Sequence, residues 1–171
     1  RLIQDGQKPA EWNSIYEAFA EGATLIVNDM RHPNFYALSN AFSEALGVVA
    51  GANLYVSPAA VESGAIEAGW GFNWHFDESD VMILQHEGRK QWEVCDRKWP
   101  LHRSSVVRQV ESALGSSKRC RNLTMSAGQT LYMPFGTFHK AWPGPVVSVH
   151  TTMSLRTGLH NWMQVYDFVL Q

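Results

Sequence analysis

Apolar positions recur at two different spacings along this 171-residue chain, and the change between them divides it. Trp12, Ile15, Tyr16 and Phe19 fall three or four apart, the spacing of one helix face. Pro9 precedes them, where a first helical turn tolerates it, and Gly22 stops the run. Phe35, Leu38, Phe42 and Leu46 repeat the pattern between Pro33 and Gly47. The short apolar run Ala23–Asn28 separates the two as a strand, and residues 1–8 are polar and unpatterned. Residues 1–47 therefore read as a helical N-terminal layer packed against a sheet.

From Val48 onward the texture becomes β. Val48–Val56, Asn73–Asp77, Asp80–His86, Lys90–Cys95, Thr130–Met133, Ala141–Trp142 and Val146–Leu155 read as strands. Glu87-Gly88-Arg89 reads as the turn of a hairpin. Residues 59–71, rich in Ala and Gly, read as a loop. Residues 96–122 read as a long loop with a brief helix at Val106–Leu114. Leu159, Trp162, Val165, Tyr166 and Val169 mark a closing helix within 158–171. Many short strands behind two helices predict an antiparallel β-barrel or sandwich, its core at 48–157. No internal repeat is visible, and the length fits one domain over 1–171.

Composition changes this picture little. The chain is 45% hydrophobic and 18% charged, ordinary for a globular protein, with a net charge of −2 that points to neither a nucleic-acid nor a membrane partner. The charge is uneven, because residues 96–121 carry +5 and the rest −7. That segment reads first as a solvated loop and second as a docking surface for an acidic partner or RNA. No apolar run reaches ~18 residues, so no transmembrane helix is expected. No signal peptide is read, and the chain is expected to be cytoplasmic. Cys95 and Cys120 lack metal-ligand spacing and are expected to be a reduced cytosolic pair. The chain begins with Arg rather than Met, as an excerpt would.

The candidate chemistry lies in Trp74-His75-Phe76-Asp77 and in His139, after the Pro134-Phe135-Gly136 turn. Alternate side chains of a strand share a face, so His75 and Asp77 would point the same way about 7 Å apart. An isolated His-x-Asp pair is a weak signal, and a lone His139 is more often a core or surface residue. Together they supply two imidazoles and one carboxylate. Such a set leaves three coordination positions open and suits Fe(II) with a bidentate substrate and O2. A structural zinc would fill four positions, and no Cys or fourth ligand stands nearby. Lys90, Trp92 and Val94 share a strand face; by pattern alone Lys90 is a surface lysine at a hairpin edge. Ser148, His150, Thr152 and Ser154 form one polar strand face, which either lines a wet lumen or points outward.

These residues carry a resemblance. Asn53-Leu54-Tyr55-Val56-Ser57-Pro58, His75-Phe76-Asp77, Val81-Met82-Ile83-Leu84-Gln85 and Gly88-Arg89-Lys90-Gln91-Trp92 occur in that order. Leu131-Tyr132-Met133-Pro134, Gly136-Thr137-Phe138-His139 and Ser148-Val149-His150-Thr151-Thr152-Met153 follow, with Trp162 beyond. The pattern resembles the JmjC-type (cupin-like) 2-oxoglutarate oxygenases, nearest the branch known as ribosomal oxygenases, over roughly residues 10–170. The resemblance implies a mainly β fold: a double-stranded β-helix (cupin/jelly-roll) barrel with flanking helices at the N-terminus and one C-terminal helix. It implies Fe(II) at His75, Asp77 and His139, and 2-oxoglutarate as co-substrate with O2 consumed. It makes Lys90 the cation for the distal carboxylate, with the Tyr55 hydroxyl beside it. A dianion buried in a barrel needs such a fixed positive partner. Asn53, on the face of Tyr55, and Ser148 join as further pocket candidates.

The implied activity is hydroxylation of a C–H bond in a protein or peptide side chain, a ribosomal protein by family analogy. A small-molecule oxygenase on the same scaffold and a non-catalytic cupin-like binding module are the alternatives. Two departures stand out. The connection from Pro58 to His75 is longer than the family pattern and holds Trp70, Phe72 and Trp74. Ribosomal oxygenases continue past the barrel into a helical dimerisation region and a winged-helix-like domain, whereas this chain stops at Gln171. A ribosomal-protein substrate and a homodimer are therefore open expectations.

Overall fold

The computed structural model describes residues 2–3, 12–60, 72–77, 79–96 and 119–156. The brief helix expected at Val106–Leu114 and the closing helix at 158–171 lie outside the described residues, as does Trp70. The described chain runs β1 (Leu2–Ile3), α1 (Trp12–Ala20), β2 (Thr24–Val27), α2 (Pro33–Leu46) and β3 (Val49–Ser57). It continues through β4 (Phe72–His75), β5 (Asp80–Glu87), β6 (Arg89–Cys95), β7 (Cys120–Ser126), β8 (Thr130–Met133), β9 (His139–Pro143) and β10 (Ser148–Arg156). No described helix is long and apolar enough to cross a membrane.

The strands form two sheets, in the order β1-β2-β3-β10-β5-β8 and β4-β9-β6-β7. Every pairing is antiparallel except that of β1 with β2. The sheets face each other through Val81, Ile83 and Met133 of the larger and Trp92, Met125 and Ala141 of the smaller. This is the double-stranded β-helix expected from the sequence, with its two N-terminal helices. Helix α2 covers the outer side of the larger sheet, where Phe35, Leu38 and Phe42 pack on Ala52, Met153 and Leu155. Its ends follow from local chemistry. His32 Nδ1 accepts from the Asn34 amide, Pro33 opens the first turn, and Gly47 closes the last at φ 65°.

Several expectations are corrected. Glu87-Gly88-Arg89 is no hairpin turn, because β5 and β6 belong to different sheets. The turn carries the chain from one sheet to the other, and alternation on either side of a turn cannot tell these cases apart. Strand β7 begins inside the segment read as loop, because its polar, weakly patterned residues (Cys120–Ser126) gain their strand from pairing with β6. Leu2–Ile3, read as unpatterned, pairs with Thr24 and Leu25. Cys95 and Cys120 stand opposite each other on β6 and β7 and form a disulfide. The expected reduced pair fails because spacing along the chain does not show a cross-strand pairing.

Two glycines test the crossover. Gly88 has φ +65°, and a Cβ there would lie 1.8 Å from the Val147 carbonyl oxygen. Gly128 has φ +83° with nothing within 4 Å of such a Cβ. Gly128→Ala should cost about 1 kcal/mol from backbone strain alone, and Gly88→Ala about 2–4 kcal/mol. Urea unfolding of both variants measures the difference; equal losses would contradict the packed corner.

Candidate metal centre

His75 ends β4 and stands opposite His139 in the β4–β9 pairing. The register slips between Phe72 and His75, so both side chains line the central cavity although they are three apart. Asp77 lies beyond the end of β4 rather than on it, which corrects the two-on-one-strand picture. A turn brings the carboxylate back. Gly136 N donates to the Asp77 carbonyl at 3.3 Å, and Thr137 closes the turn by two hydrogen bonds to the Pro134 carbonyl. Asp80 fixes its approach, accepting from the Phe135 amide at 2.6 Å and the Tyr132 hydroxyl at 3.0 Å. Sequence reasoning did not single out Asp80, since an acidic residue at a strand start carries no mark of its partner.

One donor atom from each of His75, Asp77 and His139 lies within 4.8 Å of the others. The two imidazole centroids are 4.2 Å apart. His139 is buried, and its Nδ1 is 2.9 Å from the Thr137 carbonyl oxygen, which can only accept. The proton therefore sits on Nδ1, and Nε2 turns its lone pair toward Asp77 Oδ2, 3.6 Å away. Burial first, then the His75 charge, push the His139 pKa to about 4, against the opposing pull of Asp77 and Thr137. At neutral pH the ring is uncharged, the form that ligates. Asp77 keeps 37% of its side chain exposed, so the cluster opens to the surface.

The cavity behind it holds about 90 Å³. Asn53 and Tyr55 of β3, Trp92 of β6, and His150, Thr152 and Ser154 of β10 line it. The polar face of β10 therefore points inward. Tyr55 is half-buried, and burial with the Asp77 charge raises its pKa, against hydrogen bonds with Asn53 and Thr152. Asn53 spends its carbonyl on the Asp29 amide at 2.9 Å.

Lys90 is no surface residue, because the crossover at Gly88 carries it inside. It is 0% exposed. Its ammonium donates to Ser57 Oγ at 2.7 Å, Ser57 meets Thr24 Oγ1 at 3.0 Å, and the Phe72 ring lies 5.7 Å from Nζ. No carboxylate pairs with it among the described residues. Desolvation pulls its pKa down to about 7. Ser148 stands opposite Ser57 in the β3–β10 register and accepts from Gln85 Nε2 at 2.9 Å, buried and outside the cavity lining. Ser57 was missed as the partner of Lys90; its place two residues after Tyr55, on the same strand face, is the signal that could have found it.

A family model described as the JmjC domain matches residues 26–163. The bifunctional lysine-specific demethylase and histidyl-hydroxylase NO66 of Dictyostelium discoideum is 30% identical over 163 residues, 91% of this chain and 29% of that protein. Ribosomal oxygenase 2 of Bos taurus is 34% identical over 110 residues, 63% of this chain and 21% of that protein. The chain thus spans less than a third of either. Among solved structures, the X-ray structure of E. coli YcfD superposes with a TM-score of 0.58 at 21% identity, covering 86% of this chain and 38% of that one. A second YcfD structure, of a ribosomal oxygenase in complex with cobalt and 2-oxoglutarate, gives 0.54 at 20%, with 86% and 36% covered.

The buried ammonium makes a stability prediction for the ligand-free protein. A folded pKa of about 7 against an ordinary 10.5 means that the unfolded chain binds more protons between those values. Stability should therefore rise with pH across that window. Lys90→Met removes the buried charge and should stabilise the ligand-free protein by about 2–4 kcal/mol at pH 6, with the gain shrinking toward pH 10. Urea unfolding at pH 6, 8 and 9.5 checks this; a Lys90→Met protein less stable than the parent at pH 6 would refute it.

Proposed function

The chain belongs to the JmjC domain family, and from that premise we propose that it is an Fe(II)- and 2-oxoglutarate-dependent oxygenase that hydroxylates a C–H bond of a protein or peptide side chain. The observation that carries this reading is the fully buried Lys90 ammonium, with no carboxylate partner among the described residues, in the same barrel as a His-Asp-His cluster. A metal site alone would not need that cation. A 2-oxo dicarboxylic acid needs both, a metal for one end and a fixed positive charge for the other.

The donor set fits the metal. His75, Asp77 and the Nε2 of His139 would hold it, leaving coordination positions free for a bidentate 2-oxo acid and O2. When bound, Fe(II) and 2-oxoglutarate would supply oxidative decarboxylation to succinate and CO2, coupled to transfer of one oxygen atom into a C–H bond. The chain's own work is binding and exclusion. Thr137 holds the His139 proton on Nδ1, so the ring keeps one tautomer. Lys90 and Tyr55 would grip the distal carboxylate, Lys90 by charge and Tyr55 through its hydroxyl. Asn53 flanks Tyr55 at the lining, while Ser148 acts behind Lys90 through its place opposite Ser57. Val81, Ile83 and Trp92 keep the wall apolar and water-poor.

The polypeptide substrate is supported by the relatives, named as a histidyl-hydroxylase and a ribosomal oxygenase. The exposure of Asp77 supports the same reading, since a chain can lay one side chain against an open triad. A ribosomal protein is the substrate this reading places first, and a cytoplasmic location goes with it.

The protein supplied with Fe(II), 2-oxoglutarate and O2 should form succinate slowly without a second substrate. Asp77→Ala and His75→Ala should reduce that rate at least about 100-fold. Lys90→Met should raise the KM for 2-oxoglutarate about 100-fold while leaving Mn(II) affinity nearly unchanged, because a buried charge-assisted contact is lost away from the metal. Succinate formation that survives Asp77→Ala would end the proposal.

A further inference from the structure

The metal ligands are backed by a second apolar cluster that the proposed chemistry leaves unused. Cys95 and Phe138 form its buried centre, 4% and 1% exposed, and Trp74, Phe76 and Cys120 pack against them. None of the five lines the cavity. In sequence, Trp74 and Phe76 stand on either side of His75, and Phe138 directly precedes His139. The Phe76 and Phe138 rings meet edge to face, with centroids 5.5 Å apart. The backbone repeats the connection. The Cys95 amide donates to the Phe138 carbonyl at 2.8 Å, the rung next to the Val94–His139 pair. The Asp96 amide donates to the Arg119 carbonyl at 2.9 Å, closing β6 on β7 beside the Cys95–Cys120 bond. The bond therefore ties the start of β7 to the segment that carries His139.

We propose that the Cys95–Cys120 disulfide is a redox modification site that tunes the affinity of the metal centre, opened by a dithiol reductant. This rests on the metal-centre reading above. Opening turns a covalent bond into a contact between two unbonded sulfurs, which must move apart. Cys95 is buried, so the shift falls on Phe138 beside it. A close-packed cluster passes such a shift on rather than absorbing it. His139 follows Phe138 directly and takes its orientation from the Thr137 carbonyl on the other side, so a displaced Phe138 misplaces the imidazole. Metal ligands tolerate only about 0.5 Å of such error. Half-buried Cys120 is the sulfur a reductant reaches. A thiolate of the dithiol attacks it, and the Cys95 thiolate leaves. The second thiol of the reductant then displaces Cys120. The reductant ends as a disulfide, and the two electrons and two protons it gives up make Cys95 and Cys120 thiols. A disulfide oxidant closes the bond again by the reverse exchange. The cytoplasmic location proposed above suits such a site, since disulfides there are mostly transient or redox-sensing.

Mn(II) alone is the probe, because it prefers harder ligands than the freed thiols. Isothermal titration compares the oxidised chain with chain reduced by dithiothreitol and desalted without air; alkylation and mass spectrometry fix the redox state, and circular dichroism the fold. Reduction should weaken Mn(II) about tenfold, the loss expected when a group that orients a ligand is disturbed. The electron paramagnetic resonance spectrum of the bound ion should change as well, which a loss of stability alone would not produce. Reoxidation should restore both. Cys95→Ala/Cys120→Ala should bind Mn(II) alike under either condition. A folded, reduced chain with the affinity and spectrum of the oxidised one would overturn the assignment, as would the same redox response in the double variant. A second arm leaves the bond in place. Phe138→Leu loosens the same contact and should weaken Mn(II) about 3–10-fold. Parent-like Mn(II) binding by that variant overturns the assignment even where the reduced chain does not hold its fold. An oxidised parent that takes up no Mn(II) fails the metal-centre reading itself, a result separate from any redox dependence.

Discussion

An ammonium buried with no countercharge among the described residues is the constraint on which the interior of this protein depends. The idealised cost of taking such a group out of water is large, and several kcal/mol persist after relaxation. The Ser57 hydroxyl offsets only part of it, and Ser57 is itself held by Thr24. Three strands must be in register for this to happen. β2 brings Thr24, β3 brings Ser57, and the corner at Gly88 turns β6 so that Lys90 follows two residues later on the inside. A lysine placed there by chance would be replaced without harm by a hydrophobic residue of similar length. Its presence makes sense when the barrel receives an anion.

The other end of the cavity is arranged for the opposite charge. His139 is kept neutral by burial and by the nearby His75, and its free nitrogen faces a carboxylate rather than a second cation. The backbone does much of this. Thr137 contributes a carbonyl, Gly136 an amide, and Asp80 secures the turn that carries both. The His-Asp-His side of the cavity is thus electron-donating and suited to a metal, while the buried Lys90 ammonium lies outside the lining, beyond Phe72. Around the cluster the wall is partly aromatic and aliphatic, with Phe72, Val81, Ile83 and Trp92 beside the polar Asn53, Thr152 and Ser154.

Much of this was legible in the sequence, for reasons that can be named. Strands β3, β5, β6, β8 and β10 alternate, and both helices carry an apolar stripe, α2 with a proline start and a glycine stop as well. The metal cluster was legible because two histidines and one aspartate stood in a recognisable motif, although the strand spacing first read for His75 and Asp77 does not hold. What was not legible depends on pairing. That β5 pairs with β10 and β8 rather than with β6 is settled by strands far along the chain, and Gly88 packs against Val147, 59 residues later. β7 is polar and acquires its strand from β6, and the same pairing brings Cys95 to Cys120. Asp77 needed the turn at Pro134–Thr137 to rejoin His75 after β4 had ended.

The same alternation explains how the fold tolerates such a costly interior. On β10, Ser148, His150, Thr152 and Ser154 face inward, while Met153 and Leu155 pack outward. On β3, Asn53, Tyr55 and Ser57 face inward, while Ala52 packs outward. The inward set includes an imidazole nitrogen without a partner among the described residues and the Ser57 hydroxyl that accepts from Lys90. The outward set is apolar and is sealed by Phe35, Leu38 and Phe42 of α2. Each strand therefore separates function from stability by the parity of its residues. A one-residue slip of β10 against β3 would exchange the two sets, placing Met153 in the lumen and His150 under the helix. Helix α2 is thus part of the site's architecture from the outer side of the sheet. By requiring an apolar outer face it fixes the register that points His150 and Ser57 at the cavity.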